Sequence, residues 1–217
     1  MTTRREFLSA AAALGFGLAF RDLLAGTGKS ARFPIGVFEG STRTNRVVEK
    51  VCALCKETGL DGFQISNNLA DPAVVQTYVD CVKRYGLKVA GACVQFPDKS
   101  AEGIARYAQR IDTVAQVAAA TGGDAVVMLP SFGEDDDLLD PRGKLIEARR
   151  TQLIDALKVL APHAEKQKVF LSLENRLGAD GNKRIIDAVN SPAVNVYLDT
   201  YNIEESGHKA PQEIRKL

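Results

Sequence analysis

From residue 33 onward, short apolar or β-branched runs alternate with longer segments whose apolar positions recur three and four apart. That alternation is the signature of parallel βα units. The runs predict strands at 33–38, 62–66, 88–95, 125–129, 169–175 and 194–200. The first predicted helix carries Val47, Val48, Val51, Leu54 and Cys55 on one side and stops at Gly59. The second opens on Asp71-Pro72, a cap followed by proline at the first helical position, and turns Val75, Tyr78, Val79 and Val82 inward before Gly86. Ser100 caps the third, whose Ile104, Tyr107, Ala108, Ile111, Val114, Ala115 and Ala118 keep a helical period up to Gly122-Gly123. A fourth is expected from about Arg142 to Lys166, kinked at Pro162, and a short fifth near 183–189.

Six such units wind into either a barrel or an open doubly wound sheet. The open sheet wants a glycine fingerprint after its first strand, but Glu39-Gly40-Ser41-Thr42 stands there, so a barrel is favoured. The 191 residues beyond the first 26 leave about 32 per unit, and an eight-stranded barrel typically takes about 250 residues. The expectation is therefore an α/β protein of the (β/α)8 TIM-barrel type, incomplete, with about six units in residues 27–217.

The first 26 residues read differently. Arg4-Arg5 precedes a short, weakly hydrophobic stretch from Phe7 to Phe20 that Gly15 and Gly17 interrupt. The pair resembles a twin-arginine signal, which implies export to the periplasm, with membrane anchoring if the segment stays uncleaved. Gly26-Thr27-Gly28-Lys29-Ser30 imitates the end of a phosphate-binding loop, but the glycine required five residues before Gly28 is Leu23.

Composition narrows the chemistry. The chain has 217 residues, 28 Lys plus Arg against 27 Asp plus Glu, and a net charge of +1, which speaks against a nucleic-acid partner. No apolar run is long enough to span a membrane. With two histidines, a metal site has to lean on carboxylates. Cys52 and Cys55 are spaced C-x-x-C but fall inside a helix, so they read as buried apolar residues.

Barrel active sites lie at the carboxyl ends of the strands. The polar residues there are Glu39, Gln64, Gln95, Glu174, Asn175, Asp199 and Asn202. Glu174 and Asp199 each end an apolar run on neighbouring strands, whose ends stand about 5 Å apart. Buried carboxylates must be paired, hydrogen-bonded or bound to a cation. Glu174 and Asp199 either share one ion, or each caps a helix or pairs with a nearby arginine such as Arg176.

Glu174-Asn175 followed by Tyr197-Leu-Asp199-Thr-Tyr-Asn202, with Ser191-Pro192-Ala193-Val194 and the segment from Gly207 to Arg215, resembles the sugar phosphate isomerase/epimerase superfamily. This is the xylose isomerase-like barrel, and the likeness covers about residues 33–217. It implies a divalent ion held by Glu, Asp, His and Glu from strand ends. Glu174 matches the first ligand and Asp199 the second. The third and fourth lie on strands beyond residue 217, and neither His163 nor His208 matches the third.

The resemblance also implies an isomerase or epimerase acting on a ketose or related small sugar. Mn²⁺, Mg²⁺ or Co²⁺ suits the carboxylates, with Zn²⁺ also compatible. Glu174 would take a proton beside the carbonyl to give an ene-diolate. Asn202, which stands where epimerases often have histidine, would contact substrate with Gln64, Gln95, Asn175 and His208. A homo-oligomer is compatible with this reading. Two other readings stay open: a non-catalytic carbohydrate-binding barrel, and the repair-endonuclease branch, against which the few histidines and the low charge count.

Overall fold

The computed structural model describes residues 34–66, 71–93, 100–123, 126–129 and 138–217. The signal-like segment, the phosphate-loop imitation and Gln95 lie outside the described residues. Six strands appear: β1 Gly36–Phe38, β2 Gly62–Ile65, β3 Lys88–Cys93, β4 Val126–Leu129, β5 Phe170–Leu173 and β6 Val194–Val196. They form one parallel sheet in sequence order, β1 to β6. The helices are α1 Val48–Thr58, α2 Pro72–Tyr85, α3 Ala101–Thr121, α4 Glu147–Gln167, α5 Ala179–Val189, α6 Thr200–Glu205 and α7 Ala210–Ile214. Among the described residues no helix is long and apolar enough to cross a membrane.

The boundary signals act as their chemistry dictates. The Asp71 carboxylate accepts from the Ala73 N–H at 2.9 Å, and Ser100 Oγ accepts from the Gly103 N–H at 3.0 Å. Gly59, Gly86 and Gly122 close α1, α2 and α3 in the left-handed conformation. Two expectations need correction. The fourth helix begins at Glu147, because residues 138–146 form a turn closed by a bridge between Leu139 and Leu145. It then runs through Pro162 to Gln167. The sixth strand stops at Val196, and Asp199 starts α6 because its side chain caps the next backbone N–H groups.

Side-chain alternation sorts the sheet into two faces. Phe63, Ile65, Leu171 and Leu173 are buried in the layer shared with the helices, Phe63 lying against Tyr78 with ring centroids 6.1 Å apart. The opposite parity carries Gln64, Ser172 and Asn195, and continues past the strand ends to Glu174, Tyr197 and Asp199. Ser172 Oγ donates to Asn195 Oδ1, so this inner face is polar and satisfied. On a flat sheet β2 and β6 would stand roughly 19 Å apart. Yet the Tyr197 hydroxyl donates to Gln64 Oε1 at 3.3 Å. The sheet therefore curls until its second and sixth strands face each other, as barrel strands do.

Candidate active site at the strand ends

Glu174 is the first residue after β5, half-buried on the inner face. Its Oε1 accepts from Asn202 Nδ2 at 2.8 Å. Asp199 caps α6 through Oδ1, which accepts from the Tyr201 N–H at 2.8 Å and the Asn202 N–H at 3.4 Å. The Asp199 carboxylate stands near enough for its charge to act on Glu174. One turn of chain thus does three things. It caps a helix, brings a second carboxylate to Glu174, and aims the Asn202 amide at the same group.

The electrostatics follow from that geometry. Burial and the neighbouring Asp199 carboxylate push the Glu174 carboxyl above its ordinary value, and the Asn202 amide opposes them. Tyr197 is raised first by burial and then by Glu174 and Asp199, so its ring belongs to the same pocket. Cys93, at the end of β3, is pushed up to about 11, chiefly by burial and then by Glu174, with Arg46 opposing.

The other expected site residues divide. Gln64 lies in the barrel, bound to Tyr197. Asn175 spends its side chain locally: Nδ2 donates to Asn182 Oδ1 at 2.8 Å, and Oδ1 accepts from the Leu177 N–H at 2.8 Å. These bonds shape the loop after Glu174. His208 stands in a rim cleft of about 470 Å³, bounded also by Leu139, Arg176, Glu213 and Lys216. Its ring lies against Gly178, where an added Cβ would come within 3.0 Å of Cε1. His163 pairs with Asp112 at 2.7 Å on the outer helices. Glu39 is 1% exposed at the end of β1, with its carboxylate held by the Ser66 N–H at 2.9 Å, the Ser66 hydroxyl at 3.3 Å and the Tyr78 hydroxyl.

Tyr197 and Cys93 were not singled out from the sequence. For Tyr197 a signal existed: it is two residues before Asp199 and therefore shares its face.

The donor set suits a hard divalent ion in kind, because two adjacent carboxylates repel each other until a cation stands between them. Among the described residues no group of three or more His, Cys, Asp or Glu side chains converges as a metal centre. Glu174 and Asp199 supply two carboxylates of the kind that a hard divalent ion takes.

No curated protein sequence matches the chain. Solved structures do, at the level of fold. A probable 3-DHS dehydratase, AsbF, from Bacillus anthracis superposes with a TM-score of 0.66 at 12% identity, over 85% of this chain and 69% of that one. A D-psicose 3-epimerase, solved in the presence of D-fructose, gives a TM-score of 0.60 at 14% identity, over 85% and 69%. A xylose isomerase-like TIM barrel protein from Mycobacterium smegmatis, in complex with magnesium, gives 0.58 at 15% identity, over 82% and 68%. The profile of one sequence family matches residues 52–216, from within α1 through α7, and the chain belongs to that family, the xylose isomerase-like TIM barrels.

Proposed function

We propose that the chain belongs to a divalent-metal-dependent sugar isomerase or epimerase that moves a proton at the carbon beside a ketose carbonyl. The observation that carries this reading is that Glu174, just after β5, and Asp199, the cap of α6 after β6, come together, with Asn202 on Glu174 Oε1 at 2.8 Å. Glu174 and Asp199 would hold an ion of the Mn²⁺, Mg²⁺ or Co²⁺ type, with Zn²⁺ also compatible, which would supply positive charge to polarise the carbonyl. The further ligands implied by the resemblance would come from outside the described residues.

The chain's own residues have definite tasks. Asn202 holds Oε1 of Glu174 and so orients the carboxylate that receives the proton. Asp199, locked by its cap to α6, keeps the second carboxylate beside it. Tyr197 and Gln64 close the barrel beneath the site and exclude water from below. Asn175 holds the shape of the loop that carries Glu174. His208, on the rim, is assigned to the outer end of the substrate.

The test is exchange in heavy water. With Mn²⁺ and a panel of ketoses, one sugar should gain deuterium beside its carbonyl, and Glu174→Gln should stop it. No exchange with any ketose would contradict the proposal. The lack of a third convergent ligand among the described residues favours a second reading, a non-catalytic sugar-binding barrel. Metal-independent sugar binding without exchange would support that alternative. Export to the periplasm remains part of the proposal, carried by Arg4-Arg5.

A further inference from the structure

The rim cleft of about 470 Å³ that holds His208 is walled by the connections that follow β4, β5 and β6, so it lies at the same end of the barrel as Glu174. It also borders the site. Arg176, on its wall, is two residues beyond Glu174. Ser206, on the facing wall, stands one helical turn, about 6 Å, beyond Asn202. The Ser206 hydroxyl donates to the Asn202 carbonyl at 2.8 Å.

The walls are pinned. Asp140 Oδ1 accepts from the Arg142 and Lys144 N–H groups, each at 2.8 Å, in the turn that carries Pro141. The Asn175 amide on Asn182 holds the second wall, and Glu213 on the Ala179 N–H ties the third to it. The volume falls within the range of about 300–1,000 Å³ that small-molecule sites occupy.

The lining points to a class of ligand. Leu139, Pro141, Leu145 and Leu177 supply an apolar wall. Beside it Arg176 and Lys216 stand among the carboxylates of Asp180, Glu205 and Glu213. Lys216 is already shared between Asp180 at 3.2 Å and Glu213 at 3.1 Å. Even a protonated His208 would only balance the charges, so an anionic group finds no surplus of positive charge. A sugar hydroxyl both donates and accepts, and so uses cations and carboxylates side by side. The C–H face of a sugar ring suits the apolar wall.

We infer that the cleft is a subsite for an uncharged sugar ring linked to the ketose, so that the substrate is a disaccharide or longer saccharide whose ketose end faces Glu174. This inference rests on the proposed function for the ketose end, but binding in the cleft is measured apart from the reaction.

The experiment is calorimetric binding to the full chain in Mn²⁺. The probes are fructose, fructose 6-phosphate and three disaccharides that end in fructose with its carbonyl free: lactulose, maltulose and isomaltulose. At least one disaccharide should bind about tenfold more tightly than fructose. Raising salt from about 0.05 M to about 0.5 M should leave that preference within about twofold, because the added ring is uncharged. Pro141→Trp places a bulky ring on the cleft wall from an exposed turn position that accepts most residues, and should erase the preference. Glu205→Ala, at an exposed position of α6, should reduce it about threefold, the effect of one hydrogen bond.

No disaccharide preferred over fructose, binding of none of the five probes, or a preference that both variants leave unchanged would overturn the inference. Tighter binding of fructose 6-phosphate than of every disaccharide, or a preference that salt abolishes, would overturn the uncharged class. Deuterium exchange into fructose without any disaccharide preference would remove the subsite and leave the proposed reaction standing. A preference that Pro141→Trp erases, with no exchange in any of the sugars, would sink the reaction and leave the subsite.

Discussion

Asn202 Nδ2 donates to Glu174 Oε1 at 2.8 Å, across 28 positions of sequence. The contact engages Oε1, and it opposes the effects of burial and of Asp199 on the Glu174 carboxyl. Asn202→Ala should therefore lower exchange about tenfold to a hundredfold by loosening the base, an effect on positioning. The far-ultraviolet circular dichroism should stay unchanged, because Asn202 is on a six-residue surface helix. Unaltered exchange in the variant would remove Asn202 from the machinery.

Glu213 ties the end of the chain to the rim. It is 4% exposed, and its Oε2 accepts from the Ala179 N–H at 2.6 Å, at the start of α5, while Lys216 Nζ reaches Oε1 at 3.1 Å. The Ala179 N–H, followed by Lys216, holds the Glu213 carboxyl below its ordinary value of 4.5. A depressed carboxyl stabilises the fold above its unfolded value, and that contribution is lost as pH falls through the folded one. Glu213→Gln should cost about 1–2 kcal/mol near neutral pH. Urea midpoints of the two proteins should draw together as pH falls below 4.5; a constant gap would refute the assignment.

Gly62 pairs with Lys88 across β2 and β3, and an added Cβ would lie 2.0 Å from the Lys88 carbonyl oxygen. That atom is backbone and cannot step aside without breaking the ladder. Gly62→Ala should destabilise by about 3 kcal/mol or more. Denaturant unfolding measures it, and a loss under about 0.5 kcal/mol would mean that the strands sit in another register.

The four cysteines are free, and burial is the main cause that raises each thiol: Cys52 to about 12, and Cys55, Cys81 and Cys93 to about 11. Thiolates, not thiols, react. A disulfide reagent at about pH 8 should leave the native chain almost unmodified and label all four thiols after unfolding. Rapid labelling of native Cys52 or Cys55 would show that α1 does not pack as described.

Much of the architecture was legible because it is local. Asp71, Ser100, Gly59, Gly86 and Gly122 each set a helix end by chemistry confined to a few residues. The meeting of Glu174 with Asp199 was legible too, since both end apolar runs on successive strands and neighbours in sequence pair in parallel. What escaped depends on distant contacts. The bonds of Asn175 to Asn182 and Leu177, which shape the loop after Glu174, were not legible from the pattern. The bridge between Leu139 and Leu145 replaces a first helical turn that the pattern allows.

The central claim is that Glu174 and Asp199 together hold a divalent ion. Thermal unfolding with and without Mn²⁺ tests it, using the wild-type chain and the double variant E174Q/D199N. Mn²⁺ should raise the wild-type Tm, because an ion bound only to the folded state stabilises it, and should leave the variant unmoved. Without metal the variant should melt higher than wild type, since two adjacent like charges are gone. An equal rise in both proteins, or none in the wild type, would contradict the account.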